Sequence, residues 1–265
     1  MKKTITLLFL AWAVLGGTSC RAPKAAAVAP ELATSDEALF KQGESFLKKD
    51  PEKARLYFRQ VIDSFPKGFY AQRAKLAIAD SFYNDGDEGN MLLAASEYRE
   101  FISLYPYSAS ASYAQYKIAL SFFDKALPPG RDQAKTVQAL AEFKKVLSLF
   151  PLGEEAKLAR EKITLCEERL AEHTFTIGYH YFHNESYKAA ISRLNEILTS
   201  YPLFTGMDKV YYYLAESNFH SPKPEQSVPF FTKLVSDYPK SEFAKKSQAR
   251  LKEISAMPKS QPEKK

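Results

Sequence analysis

Five prolines in this chain follow an aromatic residue: Phe65-Pro66, Tyr105-Pro106, Phe150-Pro151, Tyr201-Pro202 and Tyr238-Pro239. Twelve residues before each of them stands a small residue (Ala54, Ala94, Ala139, Ala190, Ser227). Eight before stands a large apolar one (Phe58, Tyr98, Phe143, Leu194, Phe231), and five before stand Val61, Phe101, Val146, Ile197 and Leu234. Offsets of this kind place one apolar stripe on one face of a helix. The proline stops that helix, because it lacks an N–H and its ring clashes with the preceding turn. A second helix follows, with Ala74, Ala114, Ala159, Val210 and Ser247 eight residues past the proline. Twelve past it stand Ile78, Ile118, Ile163, Leu214 and Leu251. One unit of two helices therefore recurs five times, which is the signature of a solenoid. No stretch alternates like a strand for more than a few residues. Thr34 with Glu37 fits a capping box at the first helix, and Gly153-Glu154-Glu155 places acids in a first turn.

The spacing between these prolines is 40, 45, 51 and 37 residues. Five extra residues lie around Pro128-Pro129-Gly130-Arg131-Asp132, a loop marked by its breakers. The longest interval exceeds the first by eleven residues, yet Glu154 to Phe182 contains no proline and only one glycine, Gly178. Eleven residues are close to three helical turns, so a single elongated helix keeps its apolar face in phase and gains about 16 Å. That added length needs a cover, from neighbouring repeats or from another protein.

Residues 1–19 read as a signal peptide. Met1-Lys2-Lys3 is positive, Thr4 to Leu15 is apolar but too short to span a bilayer, and small residues lead to Cys20. The small residues before Cys20 resemble the lipobox of bacterial lipoproteins, which implies lipid attachment at Cys20 and, with Arg21 next, sorting to the outer membrane. Ordinary cleavage at Ala25-Ala26-Ala27 or Ala27-Val28-Ala29 is the competing reading. Residues 20–34 hold two prolines and no periodicity and read as a tether; 35–255 is the repeat domain; 256–265 reads as a disordered tail.

Chemistry-bearing motifs are scarce. With 10 glycines in 265 residues, no Walker loop, Gly-x-Ser-x-Gly or Cys-x-x-Cys occurs. The net charge of +6 is spread along the chain and gives no case for nucleic acid. His173, His180 and His183 lie close together around one helix, beside Glu172. A zinc site needs convergent ligands, usually from more than one element, so these histidines read as polar members of an aromatic surface. Cys166 falls in the apolar register and reads as a small buried thiol. No catalytic residue, metal or cofactor is expected.

The small–large–proline pattern resembles the second helix of a tetratricopeptide repeat. The fold expected is all-α: a right-handed α-solenoid of five tetratricopeptide-like helix pairs, with one elongated helix in the C-terminal half. Arg131-Asp132-Gln133 with Thr136 and Ala139 resembles the loop before the third repeat of the BamD family, lipoproteins of the outer-membrane β-barrel assembly machinery. Arg169-Leu170-Ala171-Glu172-His173, then Tyr181, Tyr187, Ala189-Ala190 and Arg193-Leu194, resembles that family's long-helix region and the repeat after it. The resemblance covers about residues 35–255. It implies a non-enzymatic scaffold on the periplasmic face of the outer membrane. It also implies a BamA-like barrel protein as partner, bound through a POTRA domain by the C-terminal half. Arg131, Asp132, Arg169, Glu172, His173 and Arg193 are the docking candidates. Arg193 has an intramolecular alternative in Glu196. Unfolded outer-membrane proteins, whose extended C-terminal signal ends in an aromatic residue, are the implied clients of the N-terminal repeats. Phe82, Tyr83, Tyr113 and Tyr116 are candidates to line that groove. A periplasmic repeat adaptor of the Tol and cell-division type, like CpoB, is the alternative. A hydrolase using the histidine face is a third reading, disfavoured by the lack of a second ligand cluster.

Overall fold

The computed structural model describes residues 35–257, so the signal peptide, Cys20, the tether and the tail from Pro258 lie outside the described residues. Eleven α-helices follow one another: α1 (Asp36–Phe46), α2 (Pro51–Ser64), α3 (Phe69–Asp85), α4 (Glu88–Leu104), α5 (Ala111–Phe123), α6 (Ala134–Leu149), α7 (Glu155–His183), α8 (Tyr187–Ser200), α9 (Met207–Phe219), α10 (Val228–Asp237) and α11 (Ala244–Ala256). A short 3-10 turn, Pro224–Ser227, leads into α10. Each helix packs on the next, giving five stacked pairs closed by α11. First helices also meet across pairs, α1 with α3, α5 with α7 and α7 with α9, and no second-helix pair makes comparable contact. The first helices therefore lie on the tighter side of the stack.

Every residue of the pre-proline stripe is fully buried, from Ala54, Phe58 and Val61 to Ser227, Phe231 and Leu234. The small member lets the paired backbones approach, and the large member fills the gap to the adjoining helix. Removing one such aromatic, as in Phe143→Ala, costs about 3–5 kcal/mol. The post-proline stripe holds at Ile78, Ile118 and Leu214, whereas Ile163 and Leu251 are only partly buried. Leu251 sits on α11, the last described helix, which no other described helix pair covers on that side. On α7 the buried residue is instead Cys166.

Helix ends follow local chemistry. Ser35, not Thr34, caps α1, its hydroxyl accepting from the Ala38 amide at 3.2 Å. Asp50 and Asp87 cap α2 and α4 in the same way. Gly86 ends α3 in the left-handed conformation (φ 75°) that glycine adopts without a Cβ clash. The terminal α11 is tied back by Arg250, whose guanidinium meets both oxygens of buried Glu216 at 2.9 and 3.0 Å.

The elongated helix is α7, 29 residues long. Its first half faces α5 and α6: Lys162 lies 4.4 Å from the Phe123 ring, and Lys144 pairs with Glu167 at 3.0 Å. Its second half packs on α8 and α9, burying Ala171 and Phe175 with Leu194, Ile197, Met207 and Val210. Neighbouring repeats thus cover much of the extension, and α7 serves two successive units. Gly178 is where α7 rests on α8, since a Cβ there would stand 2.9 Å from Leu194 Cδ2. Gly178→Val should cost about 1–3 kcal/mol through overpacking and lower the melting temperature followed by circular dichroism. An unchanged melting temperature would show that α7 and α8 do not meet there.

Candidate docking and client surfaces

The two irregularities of the repeat spacing meet in space. The loop between α5 and α6 folds against the middle of α7, where His173 Nδ1 stands 2.6 Å from the Pro129 carbonyl oxygen. A carbonyl only accepts, so Nδ1 carries the proton and donates. The loop is shaped by Gln133, which is buried. Its Nε2 donates to the carbonyls of Leu127, Pro128 and Arg131 at 3.3, 2.8 and 3.0 Å, and its Oε1 accepts from the Thr136 hydroxyl at 2.7 Å. Asp132 accepts from the Ala134 amide at 3.0 Å and starts α6. Arg131 stays exposed at the loop's outer side.

Arg169 lies on the same stretch of α7, its guanidinium 5.2 Å from the Phe123 ring. One guanidinium nitrogen, Nη1, is buried without a hydrogen-bond partner. That nitrogen is enclosed by the protein itself, while the residue as a whole stays partly exposed. Cys166, one turn earlier, is inert: burial pushes its thiol up to about 11. Glu172 faces the other way and pairs with Lys209 at 2.7 Å, whose ammonium sits 4.3 Å from the Phe175 ring. Glu168 accepts from the Thr205 amide and hydroxyl. Arg193 pairs with Glu196 at 3.1 Å, both about half exposed. The three histidines diverge: His173 holds the loop, His180 meets Asn184 at 3.0 Å, and His183 stacks edge-on to Tyr179 with centroids 4.3 Å apart.

The client candidates separate into two kinds. Phe82 and Tyr116 are buried packing residues, Phe82 under the Arg55 guanidinium and Tyr116 against Phe143. Tyr83 and Tyr113 are half-buried and bridge α3 and α5, the first helices of adjacent pairs. Asp80 accepts from the hydroxyls of Tyr113 at 2.8 Å and Tyr98 at 2.5 Å, and Asp124 accepts from Tyr83 at 2.5 Å. Lys117 lies over the Tyr83 ring, 3.2 Å from its centroid. Asp80 and Lys117 also belong to these surfaces, although no motif singles them out. Only their place beside the flagged aromatics hints at them: Asp80 is two residues from Phe82, and Lys117 follows Tyr116 directly.

The profile of the YfiO family, described as outer membrane lipoproteins, matches residues 32–222. The chain belongs to that family. Outer membrane protein assembly factor BamD of Caulobacter vibrioides is 28% identical over 143 residues, 54% of this chain and 46% of that protein. The chain thus spans about half the length of the curated relative it matches. Among solved structures, a thermophilic tetratricopeptide-repeat protein in Thermus thermophilus covers 82% of this chain and 99% of its own, at 14% identity and a TM-score of 0.33. MamA protein covers 79% of this chain and 94% of its own, at 14% identity and a TM-score of 0.32. The stacked helix pairs themselves define the fold of this YfiO-family chain.

Burial and the Asp80 carboxylate push the Tyr98 and Tyr113 phenols above their ordinary range, and burial with the Asp124 hydrogen bond does the same for Tyr83. A phenol whose pKa is raised on folding contributes stability that is complete below the unfolded value, about 10, and lost as pH rises towards the folded value. The domain should therefore lose stability above about pH 10, and these three tyrosines should ionise on unfolding rather than before it. Ultraviolet titration of Tyr83→Phe and Tyr113→Phe against the parent checks this. Full ionisation with the helical signal intact would refute it.

Proposed function

We propose that this chain is a non-enzymatic, lipid-anchored scaffold for assembly of outer-membrane β-barrel proteins. The observation that carries the reading is the family match over residues 32–222, which takes in both spacing irregularities and the junction they form. The BamD of Caulobacter vibrioides, an outer membrane protein assembly factor, supports it. Cys20 carries the lipid and holds the domain at the periplasmic face. Two surfaces divide the work. The α3–α5 face, with Tyr113 bonded to Asp80, Tyr83 bonded to Asp124 and both rings half-buried, receives the extended, aromatic-ended signal of an unfolded client. Aromatic faces bind such a strand with little side-chain entropy to lose.

The C-terminal half docks a POTRA domain of a BamA-like barrel protein. Arg169, partly exposed, supplies a cation, and Leu158 and Leu165, seven residues apart on α7, remain about half exposed as an apolar neighbour to it. Arg193 contributes through exchange. Its bond to Glu196 is an exposed pair worth about 0–1 kcal/mol, little enough for a partner's carboxylate to replace it. A planar guanidinium grips a carboxylate in two places, which an ammonium does not reproduce.

Affinity purification of the full-length protein from membranes tests the proposal. The parent should bring down a large β-barrel protein with periplasmic domains, and mass spectrometry should find lipid on Cys20. Arg193→Lys and Arg193→Glu should reduce the partner's recovery, the Glu variant about tenfold or more, with helical content and melting temperature unchanged. Recovery of Tol or cell-division proteins instead, or a free N-terminus past Cys20, would overturn the reading. Normal partner recovery with Arg193→Glu would remove that residue from the interface.

A further inference from the structure

Each aromatic-proline step closes a turn of the same kind. The amide two residues past the proline donates to the carbonyl of the aromatic: Gly68 to Phe65, Ser108 to Tyr105, Gly153 to Phe150, Phe204 to Tyr201 and Ser241 to Tyr238, at 2.8–3.0 Å. The residue between proline and donor occupies the turn's third position, and no positive φ is found there, as in a type I turn. Proline fixes the torsion that starts each turn, and because the helix pairs stack in chain order, the five equivalent turns fall along one edge of the stack. Read along the chain, the tips are Lys67, Tyr107, Leu152, Leu203 and Lys240. The three central ones are 100%, 98% and 86% exposed. Leu104 and Leu149, on the shoulders of two of these turns, are more than half exposed as well.

A lone exposed leucine is ordinary. Recurrence at one turn position in three successive units is not. The repeat does not require it either, because Lys67 and Lys240 fill the same position in the outer units. Apolar side chains this free of neighbours also differ from the anchors of protein interfaces, which sit in pockets ringed by other contacts. Isolated apolar tips suit a medium that deforms around them. Tyrosine and leucine at the centre with lysine at both ends is the arrangement that lies in a bilayer's headgroup boundary, the lysines reaching phosphates. Membership of an outer membrane lipoprotein family puts such a surface within reach.

We propose that this edge rests on an anionic phospholipid surface, with Tyr107, Leu152 and Leu203 entering the headgroup layer and Lys67 and Lys240 meeting phosphates at its ends. Glu154 and Glu242, exposed two residues past Leu152 and Lys240, oppose the contact. The edge is accordingly weak by itself: it orients a domain that the lipid anchor holds. The proposal rests on the exposed tips and the family, not on the client or barrel assignments.

The test uses the full-length lipidated protein in vesicles of phosphatidylethanolamine and phosphatidylglycerol. An environment-sensitive fluorophore is placed by Tyr107→Cys, Leu152→Cys or, as a control in the turn between α1 and α2, Lys49→Cys. Cys166 is buried and does not compete for label. Quencher-bearing phospholipids should quench the probes at 107 and 152 about twofold or more beyond the probe at 49. Lys67→Glu with Lys240→Glu should reduce that excess, and replacing phosphatidylglycerol with phosphatidylcholine should do the same. Equal quenching at all three positions would overturn the proposal. So would shielding of 107 and 152 that appears without lipid as protein concentration rises, or only when the barrel partner is added, since either outcome assigns the edge to a protein contact.

Discussion

Close approach of two helices at a small residue, with a large side chain wedged beside it, is the contact on which the whole chain depends. It recurs at Ala54 with Phe58, Ala94 with Tyr98, Ala139 with Phe143, Ala190 with Leu194 and Ser227 with Phe231, all of them fully buried. Because the contact is local and repeated, each unit contributes its own share of stability and binds mainly to its neighbours. The proline that follows stops the helix and aims the next one back, so the same ten-odd residues set the packing, the turn and the tip that projects from it.

The periodic part was legible because burial in a solenoid is periodic. All fifteen pre-proline positions are shielded completely. Prediction weakened where the period breaks: Ile163 and Leu251 occupy the expected register yet stay partly exposed, one on the helix that serves two units and one on the last described helix. What the pattern could not convey is which irregularities touch. The insertion near Pro129 and the extension in α7 are forty-four residues apart in sequence and meet through a single His173 hydrogen bond. The length of α7 was readable, but its cover was a long-range fact. The same holds for the aromatics. Phe82 and Tyr83 are adjacent in sequence, yet only Tyr83 bridges to the next pair, because neighbouring positions on a helix face about 100° apart.

The proposed docking residues lie where the regular repeat is broken. Arg169 is the clearest case: it sits on the elongated helix one turn before His173, which holds the loop that Gln133 organises. The intramolecular bond of Arg193 to Glu196 was visible as an i,i+3 pair in the sequence, and its exposure makes it exchangeable rather than structural. The elongated α7 itself carries Arg169 and packs on both α5 and α8, so it links the proposed docking side to the α5 end of the tyrosine cluster.

Site-specific photocrosslinking in the intact membrane tests that division most directly. Probes at Tyr83 and Tyr113 should capture unfolded outer-membrane proteins. Probes at Arg169 and Leu165 should capture the barrel protein's periplasmic domains. The same partner at all four positions, or clients captured only in the C-terminal half, would contradict the account.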